Sequence, residues 1–349
     1  MRNPLDSVPK LSVIGQDNSA LFHASPAAGQ GAQLPPALAQ HRAFAGVFQK
    51  GKLTVGIAAP FKGYADVPVP SLEDLGELAQ LADRLGFAAL WLRDVPFLDP
   101  HFGDVGQALD PYLTLGYLAA KTENIALGTA GLIAPLRSPI HMAKAAASAE
   151  VLSGGRFLLG LSSGDRPVEY PAFKADYDNR AERFREAWAM IRTLLQDDFP
   201  RYRGTHYGDL RGDIDLVPKI SHRLPMIAIG RARQALEWLA NTADAWLWHG
   251  VNPRDTANVV QTLAELNQDG HWRPFGYANF VELLDDANAS ARLYNHIYLR
   301  GGSKAIAAHW QEQREQGLAH VVLNLKPTRR PAAETLQDLA ENVLPGLLA

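Results

Sequence analysis

Two short runs concentrate the residue types that hold anions. Ser162-Ser163-Gly164-Asp165-Arg166 and Gly230-Arg231-Ala232-Arg233-Gln234 each combine small residues with arginine. Small residues let backbone N–H groups approach an anion, and arginine adds a bidentate charge. If the second run opens a helix, the helix N-terminus adds a favourable dipole. Taken singly, Arg166, Arg231 and Arg233 read as solvated surface charges; two such turns on one face point to a phosphate-bearing ligand. Arg93-Asp94, Thr129 and His249 complete the polar residues at strand ends.

Other chemistries fit less well. Residues 46–52 satisfy the letter of a phosphate loop, GxxxxGK, but Leu53 stands where Ser or Thr must reach Mg²⁺, and a strand follows where a helix should open. The chain has no cysteine, which excludes disulfides, thiolate metal sites and a cysteine nucleophile. Histidines are scattered singly and no HExxH occurs, so no metal site is expected. Asp94, Asp165 and Glu169 are eligible for glycoside hydrolysis, but Asp165 and Glu169 share one loop. Among the histidines, His249 at a strand end and His141 early in a helix are the candidates for acid–base work. A net charge of −3 provides no field to draw nucleic acid. No run of about 18 apolar residues occurs and residues 1–30 lack a secretory leader's apolar run, so a cytoplasmic address without a membrane segment is expected.

These strand ends need a scaffold. After residue 52, short apolar runs alternate with amphipathic helices. The spacing predicts strands at 53–59, 88–92, 125–129, 156–161, 225–230, 245–248, 280–284 and 320–325. Helices are predicted at 71–85, 111–121, 139–152, 179–195, 233–241, 255–267, 304–316 and 331–340, the first capped by Ser71. Eight strands alternating with helices favour an α/β fold, a closed (β/α)8 TIM barrel with insertions, whose site lies at the C-terminal strand ends. The alternative is an open doubly wound sheet, but the first turn reads GIAAPFKGY and lacks GxGxxG. Residues 1–50 form a separate N-terminal arm, flexible or draped. Its stretch 24–40 is rich in Ala, Gly, Gln and Pro, and little core is expected from it. Residues 51–349 then form a single barrel domain.

Residues 86–96 (GFAALWLRDVP), 99–148, 152–173 (LSGGRFLLGLSSGDRPVEYPAF), 243–248 (ADAWLW) and 320–326 (HVVLNLK) carry a resemblance that spreads over nearly all of 43–349. The chain resembles the bacterial-luciferase-like family of flavin-dependent oxidoreductases. The LSGGRF turn and the LGT pattern are its most specific marks.

The resemblance implies a barrel with FMN at its C-terminal face. Asp94 and Thr129 would contact or line the isoalloxazine pocket; Ser162, Ser163 and Gly164 would lie beside the flavin. Arg166 and Tyr170 match a pair at the ribityl or phosphate end, and Gly230, Arg231, Ala232 and Arg233 match the phosphate turn. That turn usually carries Ser near 232, so Ala232 removes a hydroxyl that Arg231 or Arg233 replaces with charge. Trp248-His249-Gly250 replaces a more usual aromatic-Pro-Arg run. Phe61, Leu132, Ile133 and Trp248 would keep the pocket dry. The implied function is a monooxygenase that uses reduced FMN, delivered by a separate flavin reductase, and O₂ on a small organic substrate, within a homodimer packed through the early helices. The alternatives are an oxidoreductase dependent on F420 and a non-catalytic flavin-binding protein.

Overall fold

The structure, a computed structural model, describes residues 17–22, 32–62, 70–99, 101 and 109–349; the first part of the Ala/Gly-rich stretch, 24–31, lies outside them. Eight parallel strands follow one another around a closed barrel: β1 (Thr54–Ala58), β2 (Ala89–Leu92), β3 (Ala126–Thr129), β4 (Phe157–Ser162), β5 (Met226–Ile229), β6 (Ala245–Trp248), β7 (Phe275–Leu283) and β8 (His320–Asn324). β8 closes on β1 with Thr54 opposite His320. The helices after them are α1 (Leu75–Arg84), α2 (Pro111–Lys121), α3 (Pro139–Ser153), α4 (Arg180–Gln196), α5 (Leu236–Thr242), α6 (Thr256–Leu266), α7 (Ser303–Glu315) and α8 (Ala332–Asn342). The strands are buried on both faces, which is why they read as continuous apolar runs. No described helix is long and apolar enough to cross a membrane.

Several boundaries differ from the predicted ones. α1 starts at Leu75 because Asp74 is left-handed (φ 56°), while the Ser71 hydroxyl accepts from the Glu73 N–H in the turn before it. α5 starts at Leu236, not 233, because Ala232 and Arg233 both take positive φ, 48° and 60°. The 230–234 turn therefore does not open a helix, and the dipole expected there plays no part. β7 begins five residues before the predicted 280. It also carries an added strand, Tyr298–Gly301, paired in parallel with its second half.

Two glycines explain how the barrel interior fills. A Cβ at Gly56 would lie 2.6 Å from Trp91 Nε1, and one at Gly128 would lie 2.4 Å from Trp91 Cζ3. The Trp91 ring, on β2, occupies the space left by the strands on either side of it, β1 and β3. Its Nε1–H donates to His320 Nε2 (2.9 Å), and His320 Nδ1 meets the Thr54 hydroxyl at 2.7 Å. Burial drives the His320 pKa down to about 3, so the imidazole is neutral and accepts from the indole.

The N-terminal segment contributes far more core than its composition suggests. Helical residues Arg42–Val47 bring Phe44, Val47 and Phe48 into one buried cluster with Trp91, Leu158, Ile227 and Val322. The Thr54 hydroxyl donates to the Val47 carbonyl, tying the segment to the polar chain inside the barrel. These residues close the N-terminal end of the barrel. Phe44 is fully buried. Phe44→Leu is accordingly expected to destabilise the protein by about 1–2 kcal/mol, read as a lower urea midpoint at unchanged m.

Candidate active site

A cavity of about 370 Å³ opens at the C-terminal ends of the strands, within the size range of small-ligand sites. Its floor is apolar, formed by Ala58, Leu247, Ala278 and Val322; polar residues gather at its rim. The two Gly/Arg turns, 162–166 and 230–232, both line it.

β2 delivers Asp94 to one wall. The structure pairs it with Arg137. Asp94 Oδ1 accepts from Arg137 Nη2 (2.6 Å) and Oδ2 from Arg137 Nε (2.7 Å), a bidentate contact, and Oδ2 also accepts from the Ile133 N–H at 3.0 Å. Asp94 thus fixes the segment after β3, including Ile133, against the cavity. Thr129, expected to contact the ligand, does not line the cavity. Its hydroxyl donates to the Gly160 carbonyl (2.8 Å) and accepts from the Gly160 N–H (2.9 Å), so it is consumed in joining β3 to β4.

β4 ends in Ser162; Ser163 follows, and Gly164 turns the chain at φ +72°. A Cβ on Gly164 would come within 2.8 Å of Ile133 Cγ2, so both the conformation and the space require glycine there. Tyr170, expected at the ligand, lies outside the cavity lining. Its hydroxyl donates to the Ser163 carbonyl and its ring meets Tyr177 edge-on at 5.0 Å, holding the turn from behind. Arg166 does reach the cavity; its Nη1 lies 3.4 Å from the Phe97 carbonyl and 3.6 Å from Glu169 Oε1.

Glu169 is a buried carboxyl whose Oε1 has no hydrogen-bond partner. Burial raises its pKa to about 7; Arg166 opposes this, and Asp165, Asp94 and Asp99 add to it. A folded value above the ordinary one means that the contribution to stability is complete below about 4.5 and is lost as pH rises through about 7. Glu169→Gln is expected to remove this slope and to gain about 1–2 kcal/mol over the parent protein at pH 8 relative to pH 5, after allowance for solvent screening. Urea titrations at the two pH values check it.

β5 is followed by Gly230, also left-handed at φ +65°. Its carbonyl accepts from Trp246 Nε1 (2.8 Å), and Trp246 stacks on Trp248 at 5.2 Å, with Trp248 in the cavity wall. Arg231 lines the cavity, and its buried Nε has no hydrogen-bond partner. Ala232 lines it too, while Arg233 is exposed and points elsewhere. Of the two cations offered in place of the usual hydroxyl, only Arg231 is in position.

His249 lines the cavity after β6; His141 is exposed on α3 and does not. Of the apolar residues expected around the site, Ile133 and Trp248 line it, whereas Phe61 and Leu132 are buried in the main core. Tyr277 escaped the sequence reading because β7 was begun too late. Its hydroxyl lies 2.6–2.8 Å from the carbonyls of His249, Val251 and His296 and fixes the loop that carries His249.

Residues 53–345 match the family profile described as luciferase-like monooxygenase. The oxygenase component of the flavin-dependent trigonelline monooxygenase of Acinetobacter baylyi is 32% identical over 129 residues, 36% of this chain and 34% of that protein. The F420-dependent hydroxymycolic acid dehydrogenase of Mycobacterium tuberculosis is 35% identical over 221 residues, 61% of this chain and 60% of that protein. The chain therefore matches less than two thirds of the length of these curated relatives. Among solved structures, the monooxygenase RslO1 from Streptomyces bottropensis superposes with a TM-score of 0.70 at 19% identity, covering 84% of this chain and 99% of that one, a likeness of fold.

Proposed function

The chain belongs to the luciferase-like monooxygenase family, and from that premise we propose that it is an FMN-dependent monooxygenase acting with O₂ on a small organic substrate. One observation carries this reading: two Gly/Arg turns from different strands line a single cavity. The donor set fits FMN: Arg166 and Arg231 take the phosphate, with the left-handed turns at Gly164 and Gly230 bringing backbone close to it. Ser162, Ser163 and Asp94 bound the ring pocket, and Ala232 lines the wall without donating.

Bound FMN supplies the redox chemistry. The chain orients and dries the site. Asp94 and Arg137 lock the wall that holds Ile133, and Trp248 and Ile229 exclude water from the side opposite. His249 is the histidine placed to hold or move a proton at the substrate. The relative named an oxygenase component supports supply of reduced FMN by a separate reductase. The exposed Leu113 and Tyr117 of α2 and Ile140 of α3 support a homodimer through the early helices.

The F420-dependent relative favours a second reading, in which the same mouth takes F420 and passes a hydride. Parallel titrations separate the two. The expected result is binding of FMN at micromolar levels with weaker binding of F420, and substrate-dependent O₂ uptake when a flavin reductase and NADH are added. Preferential F420 binding selects the second reading. A folded protein that binds neither refutes both.

A further inference from the structure

At the opposite end of the barrel, three segments far apart in sequence bring ligating atoms together. His41 precedes the short helix Arg42–Val47 of the arm, Glu150 lies in the last turns of α3, and His222 lies in the loop before β5. His41 Nε2 and His222 Nε2 converge on one carboxylate oxygen, Glu150 Oε1, at 2.9 and 2.6 Å, and the ligating atoms all lie within 4.8 Å of one another. The rings sit 5.4 Å apart at 59°, so both edges face the carboxylate. The other oxygen, Oε2, accepts from the Phe157 N–H at 3.1 Å, which fixes the carboxylate's orientation. His41 and Glu150 are buried, whereas the His222 side chain is 45% exposed and leaves a way in from solvent.

We propose that His41, Glu150 and His222 form a divalent-metal site of the zinc class that fastens the N-terminal arm to the base of the barrel. Two imidazoles and one carboxylate suit a borderline ion such as Zn²⁺, Co²⁺ or Ni²⁺ and not Mg²⁺ or Ca²⁺, which take oxygen ligands. Three protein ligands leave a fourth position for water, on the side where His222 meets solvent. Tetrahedral coordination sets neighbouring ligand atoms about 3.3 Å apart, so the two imidazoles withdraw by about half an ångström from the carboxylate, and the two nitrogens, within 4.8 Å of each other, adjust to the same spacing. Coordination through His41 Nε2 places that ring's proton on Nδ1, which now accepts from the Phe44 N–H across 3.3 Å; the ion therefore replaces one long contact. No electron transfer is involved: a neutral imidazole moves its proton from Nε2 to Nδ1 with no net release, whereas an imidazolium gives one proton to solvent as the metal binds, so affinity rises with pH over the range in which the rings lose their charge.

The site is independent of the cofactor reading, and so is its test. Tag-free, chelator-treated full-length protein is titrated with Zn²⁺ by calorimetry and with Co²⁺ by visible absorption. The expected result is one equivalent bound, intense tetrahedral Co²⁺ bands, a higher thermal midpoint on Zn²⁺ addition, and no response to Mg²⁺. His222→Ala changes a half-exposed residue and is expected to fold, yet to weaken Zn²⁺ binding by about tenfold or more. Glu150→Gln keeps the shape and is expected to lose the Co²⁺ bands. Absence of stoichiometric binding below millimolar metal overturns the proposal and leaves a hydrogen-bonded His–carboxylate–His cluster. Binding of equal strength in His222→Ala overturns it as well, since the ion then lies elsewhere.

Discussion

Arg166→Ala is expected to weaken FMN binding by about 10- to 100-fold while leaving riboflavin binding within a factor of two or so. The reasoning runs through where the guanidinium sits. Arg166 is buried and lines the cavity, with the Phe97 carbonyl at 3.4 Å and Glu169 at 3.6 Å from its Nη1. A hydrogen bond from this guanidinium to a phosphate in a partly dry site contributes about 1.5–3 kcal/mol. Riboflavin lacks the phosphate and senses the substitution only through packing. Arg231→Gln is expected to act in the same direction, since Arg231 lines the same cavity from the second turn. Fluorescence titration at pH 6.5 keeps Glu169 largely protonated, so that removing Arg166 does not leave a carboxylate exposed to the ligand. Equal losses for FMN and riboflavin would place Arg166 at the ring instead; no loss for either would place the phosphate away from both turns.

Both turns were legible in the sequence because each is local. Small residues followed by arginine at the end of a predicted strand fall at the mouth of the barrel whatever the rest of the chain does, and 162–166 and 230–232 do line one cavity. The (β/α)8 order was legible for the same reason: it rests on apolar period and turn residues within short windows. Asp94 was legible as a polar strand end, but its partner was not. Arg137 lies 43 positions on, and only the fold makes the bidentate contact visible. Tyr170 enters through the resemblance, as a partner of Arg166 at the phosphate end; in the structure its hydroxyl goes to the Ser163 carbonyl and it lies outside the cavity lining. Thr129 sits at the right strand end, yet its hydroxyl is taken by Gly160.

The buried part of the arm lies largely outside the stretch its composition singles out. Ala, Gly, Gln and Pro dominate 24–40, but the burial is done by Leu38, Phe44, Val47 and Phe48, of which all but Leu38 lie beyond that stretch. A window average dilutes such a cluster. The His41–Glu150–His222 convergence was invisible for a related reason. Its separations are 109 and 72 positions, and ligand spacing carries a signal only when ligands share a helix or a turn.

Asp244→Ala is expected to be among the most damaging single changes away from the cavity, at about 3–5 kcal/mol. Asp244 is buried just before β6 and anchors three groups. Oδ2 accepts from Arg192 Nη2 (2.7 Å) of α4 and from the Met226 N–H (2.8 Å) of β5, and Oδ1 accepts from Arg223 Nη2 (2.6 Å). Alanine leaves two guanidiniums without their counter-charge and one strand N–H without an acceptor, and the penalty for those stranded groups exceeds the net value of the intact cluster. Asp244→Asn keeps an acceptor for Met226 and is expected to cost less. Adding Arg192→Met to the alanine variant is expected to recover part of the loss, because an apolar side chain in place of a stranded charge removes its desolvation cost. The acid limb gives a further check. Burial alone would raise the Asp244 pKa, but Arg192 and Arg223 hold it below the ordinary carboxylate range. Its stabilising share is therefore complete above pH 4 or so and disappears as pH falls through the lowered folded value, so the gap between parent and variant narrows in acid. Glu169 acts with the opposite sign, its share disappearing as pH rises toward 7. Urea midpoints for the Asp244 and Glu169 variants should thus diverge from the parent at opposite ends of the pH scale, and a common drift would show that neither carboxyl carries the dependence assigned to it.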